Sequence, residues 1–467
     1  MVSFLICLTS LCFLMLVAYR GFSVILFAPI AALGAVLLTD PSAVLPVYSG
    51  LFMDKMVVFV KLYFPVFMLG ALFGKVIEIS GFARSIVSAV IRAVGPERAV
   101  LSIVLVGGLL TYGGVSLFVV VFAVYPFAAE MFRQGDIPKR LIPGTIALGA
   151  FTFTMDSLPG TPQIQNIIPT TFFHTTAYAA PILGTIGGIF ILICGISYLE
   201  WRLRSARAAG EGYGTGHINE PEVAATDADL VHPAIALLPL VVVGLANLGF
   251  TRWLGPAIYN TAVSKVQLTP TDTPIEQEVS KFIAIWSVEV ALVLGIVTVL
   301  IFSFRIVAGK FAEGSKSAIA GSLLASINTA SEYGFGAVIA ALPGFIAIRE
   351  ALTAIPNPLV NEAVTVTTLA GITGSASGGM SIALAAMKDQ FIAMAAANNI
   401  PLDVLHRVAS MASGGMDTLP HNGAVITLLA VTGLTHRQSY KDIFAITCIK
   451  TSAVFVVIAT YYLTGLV

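Results

Sequence analysis

Met155-Asp156-Ser157-Leu158-Pro159-Gly160-Thr161-Pro162 interrupts an otherwise apolar stretch, and the second half of the chain repeats it as Met416-Asp417-Thr418-Leu419-Pro420-His421-Asn422-Gly423. Two further echoes lie upstream in the same order. Gly113-Gly114-Val115-Ser116-Leu117 answers Gly378-Gly379-Met380-Ser381-Ile382, and Ile137-Pro138 answers Ile400-Pro401. The offsets are 265, 263 and 261 residues, so the three motifs keep their order with two small slips. Collinear echoes of this kind mark an internal repeat that covers most of the chain.

The sequence around these motifs is that of a membrane protein. Of 467 residues, 57% are apolar and 11% charged, and the mean hydropathy is +0.92. A soluble domain carries roughly 25% charged residues, so this chain cannot clothe itself in a water-facing surface. Apolar runs of about 18 residues or more recur along its length. Lipid offers no partners to backbone N–H and C=O groups, so spans must be helices or a closed barrel. Continuous apolar runs rather than strict alternation exclude the barrel. The formal net charge of zero gives no sign of a nucleic-acid partner. Cys7, Cys12, Cys194 and Cys448 have no metal-ligand or disulfide spacing and read as small core residues. The apolar N-terminus has no basic leader region and runs into another apolar segment, so it reads as a first span rather than a signal peptide.

Ten spans are expected. The first five are 3–19, 22–38, 56–77, a broken one over 141–173, and 178–199. The second five are 233–250, 282–302, 319–342, a broken one over 402–434, and 443–466. Two stretches, 99–132 and 363–396, are apolar at both ends but rich in glycine and hydroxyls in the middle, and read as re-entrant hairpins or kinked helices. With both as hairpins, sixteen basic residues face one side and seven, Arg407 among them, the other; Lys61 and Lys450 stay inside spans. The richer side is then cytoplasmic and both termini are outside. The expected division is a first repeat over 1–201, a structureless cytoplasmic linker over 202–232, and a second repeat over 233–467. Five spans is an odd number, so the second repeat sits inverted relative to the first. This is the organisation of secondary transporters, in which broken helices of the two halves meet near the midplane.

The candidate site follows from the breaks. Proline removes a backbone donor and glycine frees the chain to bend, so each motif unwinds its helix and leaves an amide end and a carbonyl end facing a cavity. Amide ends attract anions and carbonyl ends cations. Ser157, Thr161, Gln163, Asn166, Thr418 and Asn422 can add hydrogen bonds to a polar solute. At the hairpin tips, Tyr112, Gly113, Gly114, Ser116, Ser375, Ser377, Gly378 and Gly379 let the backbone approach a ligand. The plainer alternatives are proline kinks stabilised by hydroxyls and close packing through small residues. Asp156 and Asp417 lie at membrane depth, where an ionised carboxylate costs at least ~2.5–3.5 kcal/mol. They carry ions or protons, or else cap a helix beside the break. His421 can take a proton near neutral pH or be a hydrogen-bonded structural histidine. Glu332 aligns across the repeat with Lys61; the two are expected to pair, snorkel to the interface, or meet substrate.

The tip motifs 112–117 and 373–382 and the break motifs 155–166 and 416–422 resemble the gluconate permease family of proton symporters, within the wider ion-transporter superfamily, over nearly the whole chain. The resemblance implies a homodimer with a scaffold domain and an elevator-type transport domain, carrying small hydroxycarboxylates such as gluconate across the bacterial inner membrane. The stretch from Asp417 to Asn422 with Thr432-Gly433-Leu434-Thr435-His436 resembles members that carry hydroxybutyrate-type acids. Sodium as coupling ion, or a passive anion channel, are the alternatives. No H-E-x-x-H, G-x-S-x-G or G-x-x-x-x-G-K-[ST] pattern is present, so neither catalysis nor ATP-driven pumping is expected, and no metal or cofactor is called for. No membrane-embedded arginine is expected at the tips or breaks.

Overall fold

The computed structural model describes residues 2–20, 22–95, 98–221, 230–267, 275–346, 350, 355–420 and 422–467. The expected His421 lies outside the described residues. The chain is an all-α polytopic membrane protein. Among the described residues, six helices are long and apolar enough to cross a membrane: Pro41–Ile79, Pro181–Ala208, Pro233–Ile258, Val279–Ala341, Ala376–Ala397 and His436–Thr464. Val2–Tyr19 and Val24–Thr39 form a shorter apolar pair. Among the described residues the one sheet is a two-stranded antiparallel ribbon, Val263–Val266 with Ile275–Glu278.

Both interrupted spans are interrupted where the motifs require. The first runs as Ile142–Ala150, a short turn Phe153–Asp156, and Ile164–Phe173. The second runs as Leu402–Gly414, a 3-10 turn Gly415–Thr418, and Gly423–Thr432. Gly160 has a φ of +80°, a backbone conformation only glycine adopts without strain. Both hairpins are present as Ala99–Tyr112 with Leu117–Gln134, and Pro358–Thr373 with Ala376–Ala397. The arms of the second are so close that a Cβ at Gly379 would overlap the backbone of Ala370.

Four features differ from the sequence reading. The spans expected at 282–302 and 319–342 are two helices that meet at a kink at Ser303 within Val279–Ala341, and the stretch expected to connect them is itself helical. Gly314 packs on Ile79, and Gly334 on Phe52, so this part runs antiparallel to Met53–Ile79. Phe82–Val94 forms an additional amphipathic helix that buries Phe82, Ile86 and Val87. Of the cysteines only Cys7 is buried; Cys12 and Cys448 are exposed and Cys194 is half-buried.

The linker differs most. Helix Pro181–Ala208 runs past the expected boundary, and 209–221 is strapped to the protein. Lys139 Nζ donates to Glu220 Oε1 (2.7 Å) and to the Ile218 carbonyl (2.9 Å), and Arg133 also pairs with Glu220. Arg140 holds Glu211 through two bonds of 2.6 and 2.7 Å. Asn219 Nδ2 donates to the Ala430 carbonyl at 2.9 Å. Opposite charges and a half-buried Tyr213–Glu220 contact explain why a polar, glycine-rich stretch is ordered here.

Three expectations follow. Gly379→Ala forces the hairpin arms apart and costs about 1–3 kcal/mol, read as a lower melting temperature of the purified protein. Gly34→Ala, with nothing within 4 Å of its would-be Cβ, is neutral or stabilising. The Arg140 hydrogen bonds hold the Glu211 carboxyl below its ordinary value of 4.5. Its contribution is therefore complete above that ordinary value and is lost as pH falls through the lowered one. Amide exchange of 209–220, corrected for intrinsic rate, should rise between pH 7 and the acid side of this transition. Glu211→Gln should raise it already at pH 7.

Candidate functional site

The two broken helices cross, and their unwound segments meet. Leu402–Gly414 lies along the first break: Ser410 Oγ donates to the carbonyls of Asp156 (2.9 Å) and Gln165 (3.0 Å). Arg407, fully buried on the same helix, donates to the carbonyls of Asp156 (2.9 Å) and Ala179 (2.7 Å) and to Asn166 Oδ1 (3.0 Å). Gly184 permits this, since a Cβ there would meet Arg407 Nε at 2.9 Å. The expectation of no embedded arginine at the breaks, and of Arg407 outside, is thus corrected. Arg407 is saturated by carbonyl and amide oxygens and is a structural pin.

The repeat-related aspartates have different surroundings. Asp156 Oδ2 lies 3.3 Å from Lys450 Nζ, with both side chains buried, and Ser157 Oγ donates to Asp156 Oδ1 at 2.7 Å. Asp417 instead collects N–H donors: the Ala376 amide at the second tip (3.1 Å), Gln165 Nε2 (2.8 Å) and Asn422 Nδ2 (3.4 Å). It caps a helix, but that of the hairpin and not its own.

Each break is also tied to the hairpin tip of its own half by a side-chain amide. Gln163 Nε2 donates to the carbonyls of Thr111 (2.7 Å) and Val115 (3.3 Å), and Asn422 Nδ2 to that of Gly374 (2.8 Å). Tyr112 OH donates to the Pro159 carbonyl at 2.8 Å. The tips therefore sit at the depth of the breaks. At the first, Gly113 packs on Leu240, and Gly114, at φ +97°, on Pro162 and Leu292. At the second, Ser375 caps its helix through the Gly378 amide, Ser377 Oγ lies 3.3 Å from Thr329 Oγ1, and Gly379 faces the opposite arm. Glu332 is buried against Gly378, and its Oε2 has no hydrogen-bond partner among the described residues. It does not pair with Lys61, which is exposed on its own helix. Asn166 is held by Arg407, His406 and the carbonyls of Thr161 and Ala177, and Thr418 by Gly415 and Thr447. Thr161 Oγ1 is buried without a partner among the described residues.

A cleft of about 610 Å³ opens beside this crossing, between the helix pair 53–79 and 314–341 and the two breaks. Of the expected residues, Gly114, Ser116 and Gln163 line it, joined by Gln165, Asn328 and Thr427. Its far end carries the Lys75–Glu78 ion pair (2.8 Å) on the side expected to be cytoplasmic. Three helices begin at its wall: Leu117–Gln134, Ile164–Phe173 and Gly423–Thr432. Neither Ser116 nor Gln163 caps its helix with its side chain, so first-turn N–H groups there remain free of a side-chain cap, whereas at the third start Asn422 Oδ1 accepts from the Ala424 amide at 2.7 Å. Each helix start acts as a partial positive charge worth ~0.3–1 kcal/mol to an anion at an exposed site and up to about 2 where partly buried. The cleft therefore attracts negative charge with main-chain groups; among the described residues Lys75 is its one cationic side chain, and Glu78 offsets it.

Sequence reasoning missed Arg407, Lys450, Gln165 and Asn328. Lys450 carried the signal of a lone cation deep in an apolar span. Arg407 carried the same signal, obscured by its nearness to the start of its span. Nothing local marks Gln165 or Asn328.

No known family profile matches this chain. Over 471 aligned positions it is 60% identical to the uncharacterized transporter YxjC of Bacillus subtilis (strain 168), covering 99% of both proteins. The fold is similar to the crystal structure of the Alcanivorax borkumensis YdaH transporter, described as having an unusual topology. The TM-score is 0.57 with 15% identity, over 90% of this chain and 89% of that one.

The Gln165–Asp417 bond offers a test of the crossing. Gln165→Leu leaves a buried carboxylate oxygen without its donor, a loss of about 1–3 kcal/mol. It should lower the melting temperature more than Asn328→Leu, which lines the same cleft but appears in no hydrogen bond across the crossing.

Proposed function

Because this chain belongs to the family of the Bacillus subtilis transporter YxjC, we propose that it is a secondary active carrier of a small organic anion. Its cargo is a hydroxycarboxylate such as gluconate or 3-hydroxybutyrate, moved together with a proton across the bacterial inner membrane. The observation that carries this reading is the convergence of three helix N-termini on one wall of the cleft. A carboxylate seated there accepts main-chain N–H bonds, while Ser116, Gln163 and Thr427 serve its hydroxyls. The apolar remainder of the wall, Val66, Phe67 and Ala71 among it, limits cargo size.

In this reading the scaffold contains the helices Met53–Ile79 and Val279–Ala341, and the moving part contains the hairpins and broken helices. The two touch through small or apolar surfaces, such as Gly336 against Ile382 and Gly114 against Leu292, over which sliding breaks few hydrogen bonds. Alternating access then carries the crossing, with its cargo, from one side to the other as an elevator within a homodimer. Asp417 and Glu332, buried on either side of the second tip, are the groups placed to take up the coupling proton.

Uptake of labelled gluconate and 3-hydroxybutyrate into liposomes holding the purified protein tests this. Under an inward proton gradient, uptake should be saturable, rise above equilibration, and collapse with a protonophore. Ser116→Ala with Gln163→Ala should raise KM at least tenfold. Uptake that requires sodium and ignores the protonophore would replace the proton, and uptake that never exceeds equilibration would make the protein a channel.

A further inference from the structure

Lys450 is buried at the crossing of the two broken helices. Its Nζ is enclosed by three oxygens: the Phe151 carbonyl (2.6 Å), the Gly414 carbonyl, and Asp156 Oδ2 (3.3 Å). The two carbonyls come from corresponding ends. Phe151 follows the last residue of Ile142–Ala150, and Gly414 is the last of Leu402–Gly414. They stand 263 residues apart (414 − 151), the same offset that relates Ile137-Pro138 to Ile400-Pro401. Helix C-termini carry partial negative charge, and unwound half-helix carbonyl ends are what secondary transporters use to coordinate sodium. Two such ends and a carboxylate form an all-oxygen set suited to a hard cation. Gly414 completes the cradle, because a Cβ there would overlap the Asp156 carboxylate. Lys450 is 1% exposed, so its ammonium is desolvated, and these three oxygens are its contacts among the described residues.

We propose that the Lys450 ammonium is a tethered cation that fills a latent sodium site at the crossing of the two broken helices. The wild-type protein therefore binds no sodium in this cradle, and the transport cycle proposed above does not run through a sodium ion there. The second half differs: among the described residues Asp417 receives N–H donors and has no ion pair. The assignment rests on the carrier reading only for its meaning in transport. The cradle itself can be tested without any cargo.

The test is cation-specific thermal stabilisation of the purified full-length protein, comparing sodium, potassium and choline chloride at equal ionic strength. Wild type should melt at the same temperature in all three. Lys450→Ala should melt lower in choline and regain stability in millimolar sodium, and Asp156→Asn in the Lys450→Ala background should abolish that regain. Lys450→Ser, too short to fill the cradle, gives the same comparison if the alanine variant cannot be purified; recovery of either variant only from sodium buffers supports the assignment equally. A Lys450 variant that stays indifferent to sodium overturns it. So does a sodium-specific rise in wild type that Asp156→Asn removes. Failure of liposome uptake, by contrast, bears on the cargo and leaves the cradle as it stands.

Discussion

Two interrupted helices that point their carbonyl ends at one another, with a carboxylate between them, repel. The crossing at the centre of this protein exists because cations are built into it. Lys450 joins Phe151, Gly414 and Asp156, and Arg407 joins Asp156, Asn166 and Ala179. Breaking a buried pair by removing one partner costs roughly 3–5 kcal/mol, far more than any single apolar contact around it. The hairpin tips then dock against a crossing that is already fixed, through Gln163 on one side and Asn422 on the other.

Sequence symmetry does not carry over into symmetric chemistry. Asp156 and Asp417 are equivalent in the repeat, yet one faces an ammonium and the other a set of amide donors. The backbone breaks are shared because proline and glycine impose them locally. The partners differ in the residue that each receives from the other half of the chain, Lys450 for Asp156 and Gln165 for Asp417. A two-fold scaffold thereby offers two polar environments at the same depth.

The breaks, the hairpins and nearly all the spans were legible because each is dictated by local residues: apolar runs long enough to cross, and proline and glycine where the helix must end. What was illegible depends on distant contacts. Lys450 and Asp156 are 294 residues apart (450 − 156), and no periodicity announces their meeting. Arg407 was read as a loop cation because it stands close to the start of its span, although it points inward. The charged stretch after Ser303 was read as a connection, but it holds no proline and continues as helix. The linker was read as structureless from its glycines, and the glutamates that strap it down find their cations some 70 to 90 residues upstream.

The cleft owes its attraction for negative charge to helix starts more than to side chains, and a helix start has no proton to lose. Its field is the same in acid and in base, and no single substitution can reverse its sign. Acidity can act on such a cleft only through side-chain charges or through the protonation of whatever enters. Divergence is constrained in the same way: the apolar wall can be recut for a longer or bulkier guest while the grip on its charged end, being made of backbone, is inherited unchanged.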